Sequence, residues 1–278
     1  MGSRPQAMGY QPPPYESVVV PDDRMERFRS LAAQYEIRDD FCRDLRQLEN
    51  FEIVLLCDDS GSMSRTLGDD HVAGRDPFAP RKTRWDELRE TVAVIVDFGT
   101  CFDENGVDVY FLNRAPCYNV RSAAQVAEAF RTGPTGFTPL TAAVQLILRQ
   151  KIQALGESKP VLLVIATDGA PTDRQGNDDV RGFQQCIKTL PKNVYVSFLA
   201  CTDNDDDVAY LNKMDGKFDR VDVTDDYRSE RAEILKVQGS SFRFSFGDYV
   251  VKAMLGPIVD KFDKLDERND SGTCCMIS

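Results

Sequence analysis

Two kinds of apolar pattern alternate along most of the chain. Short continuous runs occupy residues 52–57 (EIVLLC), 107–112 (VDVYFL), 160–167 (PVLLVIAT), 194–201 (VYVSFLAC) and 220–223. They are rich in β-branched residues and apolar on both faces, as expected of strands covered from both sides. Between them, residues 85–98, 122–130, 139–152, 180–190 and 206–214 place apolar side chains at helical spacing. Strand runs that alternate with helices predict a mainly parallel sheet with a helical layer on each face, a doubly wound α/β domain. No internal repeat accompanies the pattern.

The flanks read differently. Residues 1–21 carry prolines and polar residues with few large aliphatics, so a disordered tail is expected there. A helical lead-in is expected over 22–50. Met25, Phe28, Leu31, Ala32 and Tyr35 follow one helical stripe, and Ile37, Phe41, Leu45 and Leu48 repeat it. The α/β domain then takes 51–255, and 256–278 form a final helix and tail. Gly256 and Pro257 interrupt the last helical stretch, 249–268, and should kink or split it.

Composition narrows the function. The 278 residues are 42% apolar, enough for a sizeable core, and carry a net charge of −11. That acidity leaves no electrostatic footprint for nucleic acid, so no nucleic-acid partner is expected. The longest uninterrupted apolar run, 161–166, is far short of the roughly 20 residues a spanning helix needs. The start of the chain lacks a signal-peptide pattern, so a cytoplasmic location is expected. Six cysteines are scattered singly, without C-x-x-C spacing, and read as thiols; Cys57 and Cys201 fall inside strand runs. With His71 as its one histidine, the chain cannot build a two-histidine zinc hydrolase.

Chemistry concentrates at the ends of the strand runs. Asp58, Ser60 and Ser62 form D-x-S-x-S directly after residues 52–57, an arrangement that equally suits a strand-to-helix turn or cap. Thr138 precedes Pro139 at a helix start in GPTGFTPL, and Asp168 ends a strand in VIATDGAPTD. In open α/β sheets ligands bind outside the carboxyl ends of strands, so Asp58 and Asp168 face one crevice if their strands are neighbours. Oxygen ligands alone suit a hard cation such as magnesium.

On these residues the chain resembles the von Willebrand factor A domain family, in the members with an intact metal-ion-dependent adhesion site. D-x-S-x-S, the threonine of G-x-T-P-L and the aspartate of T-D-G stand in family order over about 51–255. The resemblance implies a Rossmann-like, mostly parallel six-stranded sheet with one short antiparallel edge strand, which falls near 117–120. It also implies that Ser60, Ser62 and Thr138 offer hydroxyl oxygens to Mg2+ or Mn2+, while Asp58 and Asp168 hold the ion directly or through water. So few carboxylates leave the ion residual charge and an open position, which an aspartate or glutamate of a partner protein can fill. Binding rather than turnover is therefore expected. A magnesium-dependent hydrolase and a scaffold without metal are the alternatives. Against the enzyme, the sequence has no Walker loop, no D-x-D pair at Asp58 and no G-x-S-x-G elbow.

Residues 64–83 form a long insert beside the motif, with Asp69, Asp70, His71 and a basic RKTR segment; a solvated loop and a partner-selecting loop both fit. Residues 203–207 (DNDDD) lack the glycine and terminal acid of a calcium loop and read as a helix start. The last four residues match a C-a-a-X signal, which predicts farnesylation of Cys275. One such chain anchors only marginally, and 260–270 has no polybasic cluster. Cys274 is therefore the candidate for a second, palmitoyl anchor, which would attach the protein peripherally to a membrane. Gly2 is a poor myristoylation site because Gln6 stands at position six. Pro12, Pro13, Pro14 and Tyr15 match the P-P-x-Y ligand of WW-domain proteins, with a partnerless proline-rich linker as the alternative.

Overall fold

The computed structural model describes residues 23–67, 81–103, 105–156, 159–214, 218 and 220–266. Pro12, Pro13 and Tyr15 of the tail, His71 with most of the insert, and Cys274 and Cys275 lie outside the described residues.

The apolar runs become β1 (Glu52–Cys57), β2 (Val107–Phe111), β4 (Val161–Thr167), β5 (Val194–Ala200) and β6 (Val221–Thr224). With β3 (Cys117–Val120) they form one six-stranded sheet in the order β3-β2-β1-β4-β5-β6. Every neighbouring pair is parallel except β2 with β3, so the antiparallel edge strand lies where the family resemblance places it. In β1 and β4, Ile53, Leu55, Cys57, Leu162, Val164 and Ala166 face one core, and Val54, Leu56, Leu163 and Ile165 face the other. This alternation with both faces buried explains why those runs show no period of two in the sequence.

The first core is closed by α1 (Asp23–Gln34), α2 (Asp39–Leu45), α3 (Arg84–Phe102), α4 (Ala123–Ala129) and further helices near the chain end. The second is closed by α5 (Leu140–Leu155), α6 (Val180–Lys188) and α7 (Asp205–Asn212). The lead-in is thus integral to the domain: Phe28, Phe41, Leu45 and Leu48 are buried in the same core as β1.

Two stretches depart from the sequence pattern. Helix α8 (Tyr227–Gln238) was not legible, because Glu230 and Ile234 are its fully buried side chains and the rest is largely polar. It is started by Asp226, whose side chain accepts from the amides of Arg228 and Ser229. The final helical stretch starts earlier than 249 and is split as Gly256 and Pro257 suggest, into α9 (Phe246–Leu255) and α10 (Asp260–Asp263). A capping box between Ser245 and Asp248 sets the earlier start. Among the described residues no helix is long and apolar enough to cross a membrane.

At the amino end of β1, Glu52 accepts from Lys151 Nζ at 2.5 Å and Lys159 Nζ at 2.8 Å. Burial pushes its carboxyl up, but the hydrogen bonds and charge of the two lysines outweigh this and hold it below its ordinary 4.5. A carboxylate depressed in the fold stabilises above its unfolded pKa and loses that contribution as pH falls. The acid limb of a melting-temperature profile below pH 4.5 should therefore be shallower in Glu52→Gln than in the wild type.

Candidate functional site

The register between β1 and β4 sets Cys57 opposite Ala166, so the residues that follow the two strands emerge side by side at their carboxyl ends. Asp58 is fully buried. Its Oδ1 accepts from the Ser60 amide at 2.8 Å and its Oδ2 from Thr167 Oγ1 at 2.6 Å. Ser60 Oγ and Ser62 Oγ are 3.0 Å apart, and Ser62 Oγ donates to Asp168 Oδ1 at 2.6 Å. Four of the five expected residues thus form one hydrogen-bonded cluster.

Thr138 joins through its main chain. Its amide donates to Thr172 Oγ1 at 3.0 Å and its carbonyl accepts from the Thr172 amide at 2.9 Å, which fastens this loop to the loop after Asp168. The same loop is fastened to the one after β1, where the Gly61 amide donates to the Gly136 carbonyl at 3.2 Å. Gly136 has φ +105°, and a Cβ there would come within 2.6 Å of the Asn113 side chain, so glycine is required on both counts.

Three further residues were missed by the sequence reading. Asp59, also fully buried, accepts from the Asn113 amide at 2.8 Å, from Asn113 Nδ2 at 3.1 Å and from Arg114 Nε at 2.6 Å. Its carbonyl accepts from Thr135 at 2.6 Å, so Asp59 joins the loops after β1 and β2 to the Thr138 loop. Arg114 also donates to the carbonyls of Thr132 and Gly133 and lies over Trp85 and Phe111. Arg84, at the first position of α3, donates from Nη1 to Asp168 Oδ2 at 2.8 Å. The advance signals were the doubled aspartate at 58–59 and the basic RKTR segment that ends in Arg84; nothing marked Arg114, since an isolated arginine reads as surface.

The donor set is two carboxylates and three hydroxyls, all oxygen. Burial first, and then the Asp168 carboxylate beside it, push Asp58 up to about 6, against hydrogen bonds from Ser60 and Thr167 that pull it down. Two close buried carboxylates, hydroxyl neighbours and a raised pKa are what an oxygen-ligated hard cation relieves, so these residues fit such an ion. No group of three His, Cys, Asp or Glu side chains suited to a metal occurs among the described residues, so any ion here would rely on the hydroxyls as well. Nearby thiols are inert: burial pushes Cys57 and Cys201 well above their ordinary range.

The structure is similar to that of the ArnB paralog VWA2 from Sulfolobus acidocaldarius, with a TM-score of 0.34 and 15% identity over 54% of this chain. It is also similar to manganese-loaded TRAP from Plasmodium vivax, with a TM-score of 0.40 and 14% identity over 66% of this chain. The matches span 34% of the first protein's chain and 71% of the second's, so this chain corresponds to about a third of VWA2. No protein-family model matches the chain, and no curated protein matches it. The fold assignment rests on the chain's own strand order and register.

The neck of the insert reaches the same place. Thr66 pairs with Thr83 in an antiparallel bridge, and the Arg84 amide donates to the Arg65 carbonyl at 3.0 Å. Thr83 then caps α3 in a capping box with Asp86. Residues 203–207 combine a helix start, capped by the Asn204 side chain, with two carboxylates near Arg84.

Proposed function

We propose that the chain is a protein-binding adaptor of the von Willebrand factor A type, with Asp58, Ser60, Ser62, Thr138 and Asp168 holding Mg2+ or Mn2+. The observation that carries this is the gathering of buried Asp58, Ser60 and Asp168 with half-buried Ser62 in one hydrogen-bonded cluster, with the Thr138 loop fastened to it on both sides. A bound ion would supply a Lewis-acidic position for a carboxylate of the partner. The protein's own part is positioning. Thr167 and the Ser60 amide fix Asp58, Ser62 fixes one oxygen of Asp168, and the Gly61–Gly136 and Thr138–Thr172 contacts keep the rim from opening.

At a hundredfold excess over Kd, Mg2+ or Mn2+ should stabilise the fold by about 2.7 kcal/mol, or roughly 5–10 °C in Tm. Asp168→Ala should remove the shift. An unchanged Tm in folded wild-type protein at saturating ion would defeat the metal reading. A second reading, a scaffold that works without metal, is favoured by the Arg84 contact, which neutralises Asp168 by itself; the same titration separates the two.

The tails extend the proposal. Farnesylated Cys275, assisted by acylated Cys274, would hold the adaptor at a membrane, and Pro12, Pro13 and Tyr15 would engage a WW-domain protein. Cys275→Ser should move most of the protein from the membrane to the soluble fraction and remove acylation from Cys274 as well. Identical fractionation of variant and wild type would remove the anchor and leave a soluble adaptor.

A further inference from the structure

Arg84 is buried to 6% exposure within bonding distance of a site that would hold a doubly charged ion. A cation there opposes metal binding, so its presence needs a reason. Nη1 donates to Asp168 Oδ2 at 2.8 Å while Asp168 Oδ1 is held by Ser62, so both oxygens of the carboxylate are fixed. Nη2 faces the other way, donating to Thr202 Oγ1 at 2.6 Å and lying 3.8 Å from Asp203 and 4.0 Å from Asp207. Asp203 is 55% exposed, and Asp207 is also 4.0 Å from Arg65, so water and a second cation weaken this outer pair. The short, dry contact is the one with Asp168.

We infer that Arg84 is a resident counter-cation that makes the site bind metal and a partner carboxylate cooperatively, an inference that rests on the metal reading proposed above. Asp58 and Asp168 offer two negative charges, and Arg84 cancels one of them. A divalent ion then leaves the site with one uncompensated positive charge, which a carboxylate from the partner neutralises. Without Arg84 the two aspartates alone neutralise the ion, and the added carboxylate gains little. The arginine thus shifts affinity from the metal alone to the metal with its acidic ligand, and by linkage each raises the affinity of the other by the same factor. Arg84 is a positioning residue in this scheme, since it acts through Asp168.

The test is calorimetric titration of the full chain with Mn2+, with and without saturating acetate as the carboxylate probe and chloride as the control. Arg84→Gln and Arg84→Met remove the charge, and Arg84→Lys keeps it. Either neutral variant, shown to be folded by its near-ultraviolet dichroism, should bind Mn2+ about tenfold tighter or more than the wild type. Its affinity should also respond less to acetate. Arg84→Lys should retain the wild-type pattern. A purely structural arginine predicts the reverse, with Mn2+ affinity equal or lower in every folded variant, and that result overturns the inference while leaving the metal reading intact. Absence of Mn2+ binding in wild type and variants alike removes the metal reading and this inference with it. Wild-type binding that emerges only with acetate, beside acetate-independent binding in the neutral variants, supports the counter-cation in its strongest form.

Discussion

Replacing Lys252 with methionine is expected to destabilise the fold by about 3 kcal/mol at pH 9, where both members of its buried ion pair are charged. Lys252 of α9 and Glu230 of α8 are each 1% exposed, with Nζ 3.1 Å from Oε1. Burial disfavours the lysine's charge, but Glu230, Asp222 and Asp266 outweigh it and raise its pKa above the ordinary lysine value. Once the ammonium is gone, Glu230 must take up a proton to remain in place. Burial already pushes the Glu230 carboxyl up to about 7 with the lysine in place, and losing the ammonium drives it higher still. The loss should therefore be smaller at pH 5, where Glu230 is protonated in both proteins, than at pH 9, where only the wild type gives its carboxylate a counter-charge. Urea denaturation at the two pH values checks this, and equal losses at both would contradict it. Combining Lys252→Met with Glu230→Leu should recover most of the stability, since the pair exchanges for packed apolar volume.

Asp59→Ala should be of similar size, about 3–5 kcal/mol, and should also disable the site. It strips Arg114 and both Asn113 donors of their shared acceptor, leaving a guanidinium that is four-fifths buried without its carboxylate. Because Asn113 Nδ2 also holds the Phe137 carbonyl at 2.8 Å, slack there passes to Thr138 next in the chain. Asp59→Asn keeps an acceptor for the Asn113 amide and should lose about half as much. The metal-dependent Tm shift should vanish in Asp59→Ala at temperatures where the protein is folded. A variant that is destabilised yet shows the full shift would separate Asp59 from the site.

The sheet was legible because its strands are buried on both faces and their composition is unambiguous. Even the edge strand at Cys117–Val120 falls where expected, although its burial is poor, because the resemblance and not the apolar pattern pointed to it. Helix α8 escaped notice for the opposite reason, being polar on most of its surface with its buried charge hidden as Glu230. Asp58, Ser60, Ser62 and Asp168 were visible in short motifs at strand ends. The charges that hold them were not, since Asp59, Arg84 and Arg114 acquire meaning only from partners distant in the chain. Arg84 and Asp168 are 84 residues apart, and nothing local to either one marks the pairing.

The bonds that close the site are long in sequence: Thr167 to Asp58 spans 109 residues and Ser62 to Asp168 spans 106. A growing polypeptide therefore exposes one half of the cluster well before the other half exists. At about 5–20 residues per second of synthesis, the delay is roughly 5–20 s, and the central strand must wait through it for its parallel neighbour. A nascent chain or a fragment that stops short of β4 therefore lacks half of the cluster. The complete cluster reports that synthesis has passed Asp168 and that β1 and β4 have paired.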